Sequence, residues 1–249
     1  MLEFLGRLFR REVVAELEKI VFKNFSAGGT CNIFHHSIVK ECIQDKSFEI
    51  YAGTLNGIVG EFGTGGAVIS CCLTGNVRFY GGDIYIDDRE EMIDSIVKNS
   101  WYIGYDIYGS HKPVFRREIK GEPLYYEYNI LQRRKTIKEQ IEAGVQANHC
   151  DLNADTIQNM FELEEPRLGR SIRYVSGARW RSSIAIGYAY GKKIFCYPWM
   201  NSRDIGIMEE QMRKNIKILT DSNCFVVFPT TKEENIKKLA TKYNIINLD

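Results

Sequence analysis

The octapeptide Gly60-Glu61-Phe62-Gly63-Thr64-Gly65-Gly66-Ala67 has the glycine spacing of a phosphate-cradling loop. Such a loop reads G-x-x-x-x-G-K-[ST]; its lysine reaches the β- and γ-phosphates and its hydroxyl holds Mg²⁺. Gly60 and Gly65 fill the two glycine positions, with Gly63 between them. Gly66 stands where the lysine belongs, and Ala67 where the Ser or Thr belongs. Glycine tolerates positive φ and close approach, so the backbone can still make the turn. The cation and the metal ligand are gone. Two readings remain open: an ordinary glycine loop, or a nucleotide-binding fold that has lost its nucleotide chemistry.

The flanks weigh toward the second. Upstream run Cys42-Ile-Gln-Asp-Lys-Ser-Phe-Glu-Ile-Tyr-Ala-Gly53 and Leu55-Asn-Gly-Ile-Val-Gly60. Downstream run Leu73-Thr-Gly-Asn-Val77 and Gly81-Gly-Asp-Ile-Tyr-Ile-Asp-Asp88. This order resembles the N-terminal half of an ABC transporter ATP-binding domain. The second half resembles the same family independently. Leu168-Gly-Arg-Ser-Ile-Arg-Tyr-Val-Ser-Gly-Ala178 is similar to the approach to the family's LSGG signature, kept here as Val175-Ser176-Gly177-Ala178. Ile184-Ala-Ile-Gly-Tyr-Ala-Tyr190 follows as the signature helix does, and Lys193-Ile-Phe-Cys-Tyr197 matches the Walker B strand. Phe225-Val-Val-Phe228 with Thr231-Lys-Glu-Glu-Asn235, then Tyr243-Asn-Ile-Ile-Asn-Leu-Asp249, resemble the switch region and the last strand. No single motif is strong; their joint order over roughly residues 40 to 249 carries the resemblance.

The resemblance implies an α/β fold: a P-loop NTPase-like ABC ATPase core, a mostly parallel sheet flanked by helices. It implies a single domain over 1–249, with a helical subdomain from about 108 to 190. It also implies which residues the chemistry lacks. Pro198-Trp199 replace the Asp and Glu that would hold Mg²⁺ through water and polarise the attacking water. Tyr108 occupies the place of the Q-loop glutamine, and Thr230 that of the switch histidine. Six losses on one scaffold imply a pseudo-ATPase. Phosphoryl transfer depends on positioning and on stabilisation by lysine and Mg²⁺. Backbone N–H groups and a helix dipole alone supply only ~0.3–1 kcal/mol each when exposed. No cofactor is expected. ATP with Mg²⁺ enters only under an alternative in which a working ATP-binding subunit uses displaced ligands.

Composition fits a soluble globular domain. Across 249 residues, 44% hydrophobic and 26% charged content is ordinary, and a net charge of +1 argues for no nucleic-acid partner. No apolar run approaches the ~20 residues a spanning helix needs. Arg7, Arg10, Arg11 and Glu12 interrupt the N-terminal apolar residues, so no secretory signal is read. Seven cysteines without a C-x-x-C pair give no zinc pattern and no disulfide framework, and a reducing cytoplasm fits. Cys71-Cys72 falls in the helix after the glycine loop, where buried free thiols are expected. His35-His36, His111 and His149 are read as surface or satisfied histidines. Asp87-Asp88 is read as a solvated turn.

Leu5, Leu8, Phe9, Val13, Leu17 and Ile20 share one stripe, which predicts an N-terminal helical extension over 1–22. It packs on the chain's own core or docks on a partner or membrane surface; both stay open. Tyr108 to Arg134 is rich in Tyr and Arg and is read as a solvated loop. Thr136-Ile-Lys-Glu139 and Thr231-Lys-Glu-Glu234 both read as capping boxes. Ser176 is placed at a helix N-terminus, either as a plain N-cap or, as the family's head-to-tail dimers imply, capping nucleotide on a partner subunit. The expected partners are an ABC ATPase subunit, as a homo- or heterodimer, and a membrane permease at the inner membrane face. A free-standing interaction module is the remaining alternative, since fold alone assigns no function.

Overall fold

The structure, a computed structural model, describes residues 18–33, 37–104, 135–148 and 152–248. Two sheets organise them. The first is antiparallel, with strand order β2-β1-β4-β5. Its strands are β1 (Lys19–Ile33), β2 (Ser37–Tyr51), β4 (Arg78–Ile86) and β5 (Arg89–Glu91). The second is parallel, with order β6-β7-β8-β3-β9. It is built from β3 (Thr54–Val59), β6 (Ser100–Tyr102), β7 (Ile194–Cys196), β8 (Phe225–Thr230) and β9 (Tyr243–Asn247). Every residue of β3, β6, β7 and β8 is buried. That is the burial expected of strands covered on both faces, and it explains the continuous apolar runs of β7 and of Phe225–Phe228 in β8.

The period-2 alternation of these strands sorts side chains into two cores. Ile58, Ile194, Cys196, Phe225 and Val227 pack with the antiparallel sheet and with α1 (Gly66–Leu73). Leu55, Val59, Phe195, Val226 and Phe228 pack on the other face. There they meet α3 (Ile137–Asn148), α6 (Arg179–Ala189), α7 (Ser202–Asp221) and α8 (Glu233–Leu239). The short helices α2 (Ile93–Asn99), α4 (Ala154–Met160) and α5 (Glu165–Leu168) complete the described elements. From 135 to 189 every described helix or turn lacks strand pairing. The α/β core with a parallel sheet and flanking helices is the expected fold.

Three local expectations need correction. Lys19–Phe22, read as the end of an N-terminal helix, opens β1 and pairs with β2 and β4. Ile20 and Phe22 are buried there by alternation, a pattern that short helical and strand stripes share. Residues 1–17 of the predicted helix lie outside the described residues. The second capping box does not form, because β8 runs on to Thr230 and α8 takes Lys232 as its N-cap with no side-chain cap bond. The first does form: the Thr136 N–H donates to Glu139 Oε2 at 2.8 Å, and the Glu139 N–H to Thr136 Oγ1 at 3.2 Å. Finally, α6 takes Ala178 as its N-cap, so Ser176 is not the cap. Asp87 and Asp88 form a positive-φ turn, as read; Asp87 accepts the Glu18 and Lys19 N–H groups.

Candidate functional site: the glycine loop at the carboxyl edge of the parallel sheet

The order β7-β8-β3 puts the ends of these three strands side by side, so the segments that follow them share one edge. This is the edge where open α/β sheets bind ligands. Gly60, Gly63, Gly65, Gly66 and Ala67 lie between β3 and α1, the strand-loop-helix context that a phosphate loop needs. The Gly60 N–H donates to the Thr230 carbonyl at 3.0 Å, tying the loop to the end of β8. The Thr64 N–H and Oγ1 both donate to the Glu61 carbonyl, at 3.2 and 2.8 Å, which folds residues 61–64 into a tight turn. Gly65 has φ of 104° and is the N-cap of α1, with no side chain capping the helix from that position. An L-residue in this left-handed conformation pays roughly 1–2 kcal/mol. All eight residues of α1 are buried, so packing rather than propensity holds this Gly-, Val- and Cys-containing helix.

The segment after β7 closes over Gly66. A Cβ at position 66 would lie 3.3 Å from Pro229 Cβ and 3.4 Å from Trp199 Cδ1. Trp199 is 4% exposed, and the ring of Phe62 meets it edge-on at 5.5 Å. Pro198 is buried beside it. Thr230 is buried, donates from Oγ1 to the Met200 carbonyl at 2.8 Å and accepts Asn235 Nδ2 at 2.8 Å. Asn235 also donates to Ser202 Oγ at 3.1 Å, so one amide ties β8, α7 and α8 together. Positions 66, 199 and 230, predicted to belong to one site, are therefore brought together.

One participant was not anticipated. Glu41, on β2, reaches the loop, and its Oε1 accepts the Gly63 N–H at 3.0 Å. The residue is only 6% exposed, and Oε2 is buried without a hydrogen-bond donor. Burial pushes its carboxyl above the usual range, while the Gly63 and Val68 N–H groups oppose that shift. The signal was available. Glu41 shares the inward parity of Ile43 on β2, where an acid is out of place. Phe62 and Asn235 were likewise missed.

Cys71 and Cys72 are buried free thiols in α1, as expected, and burial raises the Cys72 thiol. Among the described residues, no group of His, Cys, Asp and Glu side chains is arranged to hold a metal ion. The backbone of Ser176 and Gly177 forms a short 3₁₀ turn ahead of α6. Its neighbours Val175 and Ala178 pack in the second core, whereas Ala67 and Val68 of the loop helix pack in the first. Tyr108, all four histidines and the Tyr/Arg-rich stretch lie outside the described residues. No helix among the described residues is long and apolar enough to cross a membrane.

No protein-family model and no curated protein matches this sequence. Solved structures do share the fold. An ABC transporter-type ATP-binding protein from Pyrococcus furiosus superposes with a TM-score of 0.57 at 14% identity, over 92% of this chain and 97% of that one. A dimeric ATP-binding cassette in a post-hydrolysis state, bound to ADP and phosphate, gives 0.57 at 15%, over 92% and 94%. A bacterial Atm1-family ABC exporter with ATP bound gives 0.57 at 14%, covering 100% of this chain and 42% of that one. The fold is that of ABC ATP-binding domains; identities this low carry no residue's role.

Proposed function

We propose that this chain is a catalytically inactive ABC-type ATPase-like protein that serves an ABC transporter as a structural or regulatory subunit. The observation that carries this reading is the apolar wall at Gly66. Where a phosphate loop projects a lysine toward the β- and γ-phosphates, Trp199 and Pro229 stand within 3.4 Å of a Cβ. The residues present do not fit Mg·ATP. Gly66 and Ala67 provide neither cation nor hydroxyl, and Pro198 and Trp199 provide no carboxylate. Thr230 spends its hydroxyl on Met200 and Asn235. Hydrolysis needs positioned charge at these points, and none of them carries any.

The partners proposed are an ABC ATPase subunit and a membrane permease, which would hold the chain at the inner face of a membrane. Solved relatives of this fold include a dimeric cassette and an exporter. In a head-to-tail pair, the exposed Gly177 turn would face a partner's nucleotide rather than the chain's own loop.

Titration calorimetry with Mg·ATP, alongside a phosphate-release assay, tests the inactive reading. The expected result is neither saturable binding nor turnover. Micromolar, Mg²⁺-dependent affinity would instead establish a working subunit with displaced ligands. Co-purification from membranes in mild detergent tests the subunit role. Capture of an ATPase or permease supports it, and capture of neither moves the free-standing module ahead. With a partner in hand, Ser176→Arg is expected to lower the partner's ATPase rate while this chain stays folded. An unchanged rate leaves only a scaffold role.

A further inference from the structure

The glycine loop holds an acidic side chain of the chain's own. The Gly63 N–H donates to Glu41 Oε1 at 3.0 Å, and the Val68 N–H, in the first turn of α1, also favours the charged carboxylate. Both donors belong to the segment whose backbone N–H groups cradle phosphate in a phosphate loop. The free N–H groups at the start of α1 find no side-chain cap at Gly65. An anion is what this helix end attracts.

We propose that the Glu41 carboxyl group fills the anion position of this loop, so that Glu41 determines the loop's refusal of phosphoanhydride ligands. The inference rests on reading residues 60–67 as a former phosphate loop, and it names the group that took the phosphate's place.

Burial makes the assignment specific. A carboxylate that only capped a helix would normally keep its second oxygen in water, because burying charge without partners is costly. Here Oε2 is buried with no donor, and no Lys or Arg pairs with it among the described residues. The strand that carries it is fixed. Glu41 pairs with Gly29 and Cys42 with Gly28 in the β1–β2 ladder, and a Cβ on Gly65 would come within 3.0 Å of Ile43 Cβ. The same Cβ would lie 3.5 Å from the Cys42 carbonyl oxygen, so β2 lies close along the loop. An incoming pyrophosphate would have to displace this group, with the exposed Glu61 adding negative charge at the mouth of the loop.

The test compares inorganic pyrophosphate binding by the wild-type chain, Glu41→Ala and Glu41→Gln, by calorimetry and thermal shift. Ala removes both the acid and its bulk; Gln removes the acid and keeps the bulk. The expected result is a gain in pyrophosphate affinity of at least about tenfold for Glu41→Ala over wild type, with a smaller gain for Glu41→Gln. A folded Glu41→Ala whose affinity equals that of wild type overturns the proposal and leaves Glu41 a helix cap only. Should Glu41→Ala not fold, Glu41→Gln decides by the same criterion. The wild-type chain offers a further check that needs no variant. The Gly63 amide resonance must follow the titration of the carboxyl that accepts it, and an amide that does not move overturns the contact. The two readings can be told apart. If wild type hydrolyses Mg·ATP, its loop accepts a phosphoanhydride with Glu41 in place, and the plug and the inactive reading fall together. If wild type and variant are both inert, the plug is wrong and the inactive reading stands.

Discussion

The ring of Phe62 stands edge-on to the indole of Trp199, with centroids 5.5 Å apart and planes at 78°. One residue comes from the glycine loop and the other from the segment after β7. The pair closes the loop with apolar surface at the point where a nucleotide site needs charge. Trp199→Ala is expected to cost ~3–5 kcal/mol, as truncation of a buried aromatic does. Phe62→Ala, at 47% exposure, loses mainly the ring contact, ~0.5–1.5 kcal/mol. Urea unfolding of both single variants and the double variant measures the coupling. Strict additivity would show that the rings do not support each other.

Restoring the loop's consensus by Gly66→Lys with Ala67→Ser is expected to return no ATPase activity, because catalytic groups act as a unit. The lysine stem must also pass Trp199 and Pro229, so overpacking should cost ~1–3 kcal/mol. Phosphate release clearly above background from this variant would reveal a catalytic carboxylate elsewhere.

Asn235 is 3% exposed and donates to both Thr230 and Ser202. Asn235→Ala leaves the buried Thr230 hydroxyl without that donor and is expected to cost ~1–3 kcal/mol. Thermal denaturation reads the loss. A change within the noise would mean that water replaces the amide.

Glu41 predicts a pH dependence with a definite sign. Its folded-state pKa lies above the ordinary 4.5, because burial outweighs the Gly63 and Val68 N–H groups. The groups facing it are those two N–H groups and the Cys31 thiol. The folded chain binds this proton more tightly than the unfolded chain does. The associated stability is full below pH 4.5 and is lost as pH rises through the folded pKa. Glu41→Gln never ionises. Its melting temperature should therefore gain on wild type from about pH 4 upward and level off above the folded pKa. A gap that narrows over that range would reverse the assignment.

Thr136 and Thr231 head near-identical motifs, and only the first caps its helix. Thr136→Ala is expected to cost ~0.5–2 kcal/mol. Thr231→Ala should stay within about ±0.5 kcal/mol. Equal losses would mean that Thr231 caps in solution.

Much of this architecture was legible in the sequence for a physical reason. Strands buried on both faces must be continuously apolar, which marks β7 and β8. A loop between such a strand and a helix must be glycine-rich to turn tightly, which marks residues 60–66. The residues at 66, 67, 198, 199 and 230 are identities, visible without coordinates. What sits in their place is a matter of tertiary structure. Glu41 lies 22 residues from Gly63 in the chain, and only the β1–β2 ladder carries it to the loop. Trp199 reaches Gly66 only because β7, β8 and β3 are neighbours in the sheet. Thr231 follows a strand whose sheet pairing continues to Thr230, so the ladder outcompeted a local cap that the sequence advertised. Local patterns fix what a short segment can form by itself. The partner of a buried carboxyl, an indole or a hydroxyl is chosen by the pairing of strands distant in the chain, and short-range spacing does not encode that pairing.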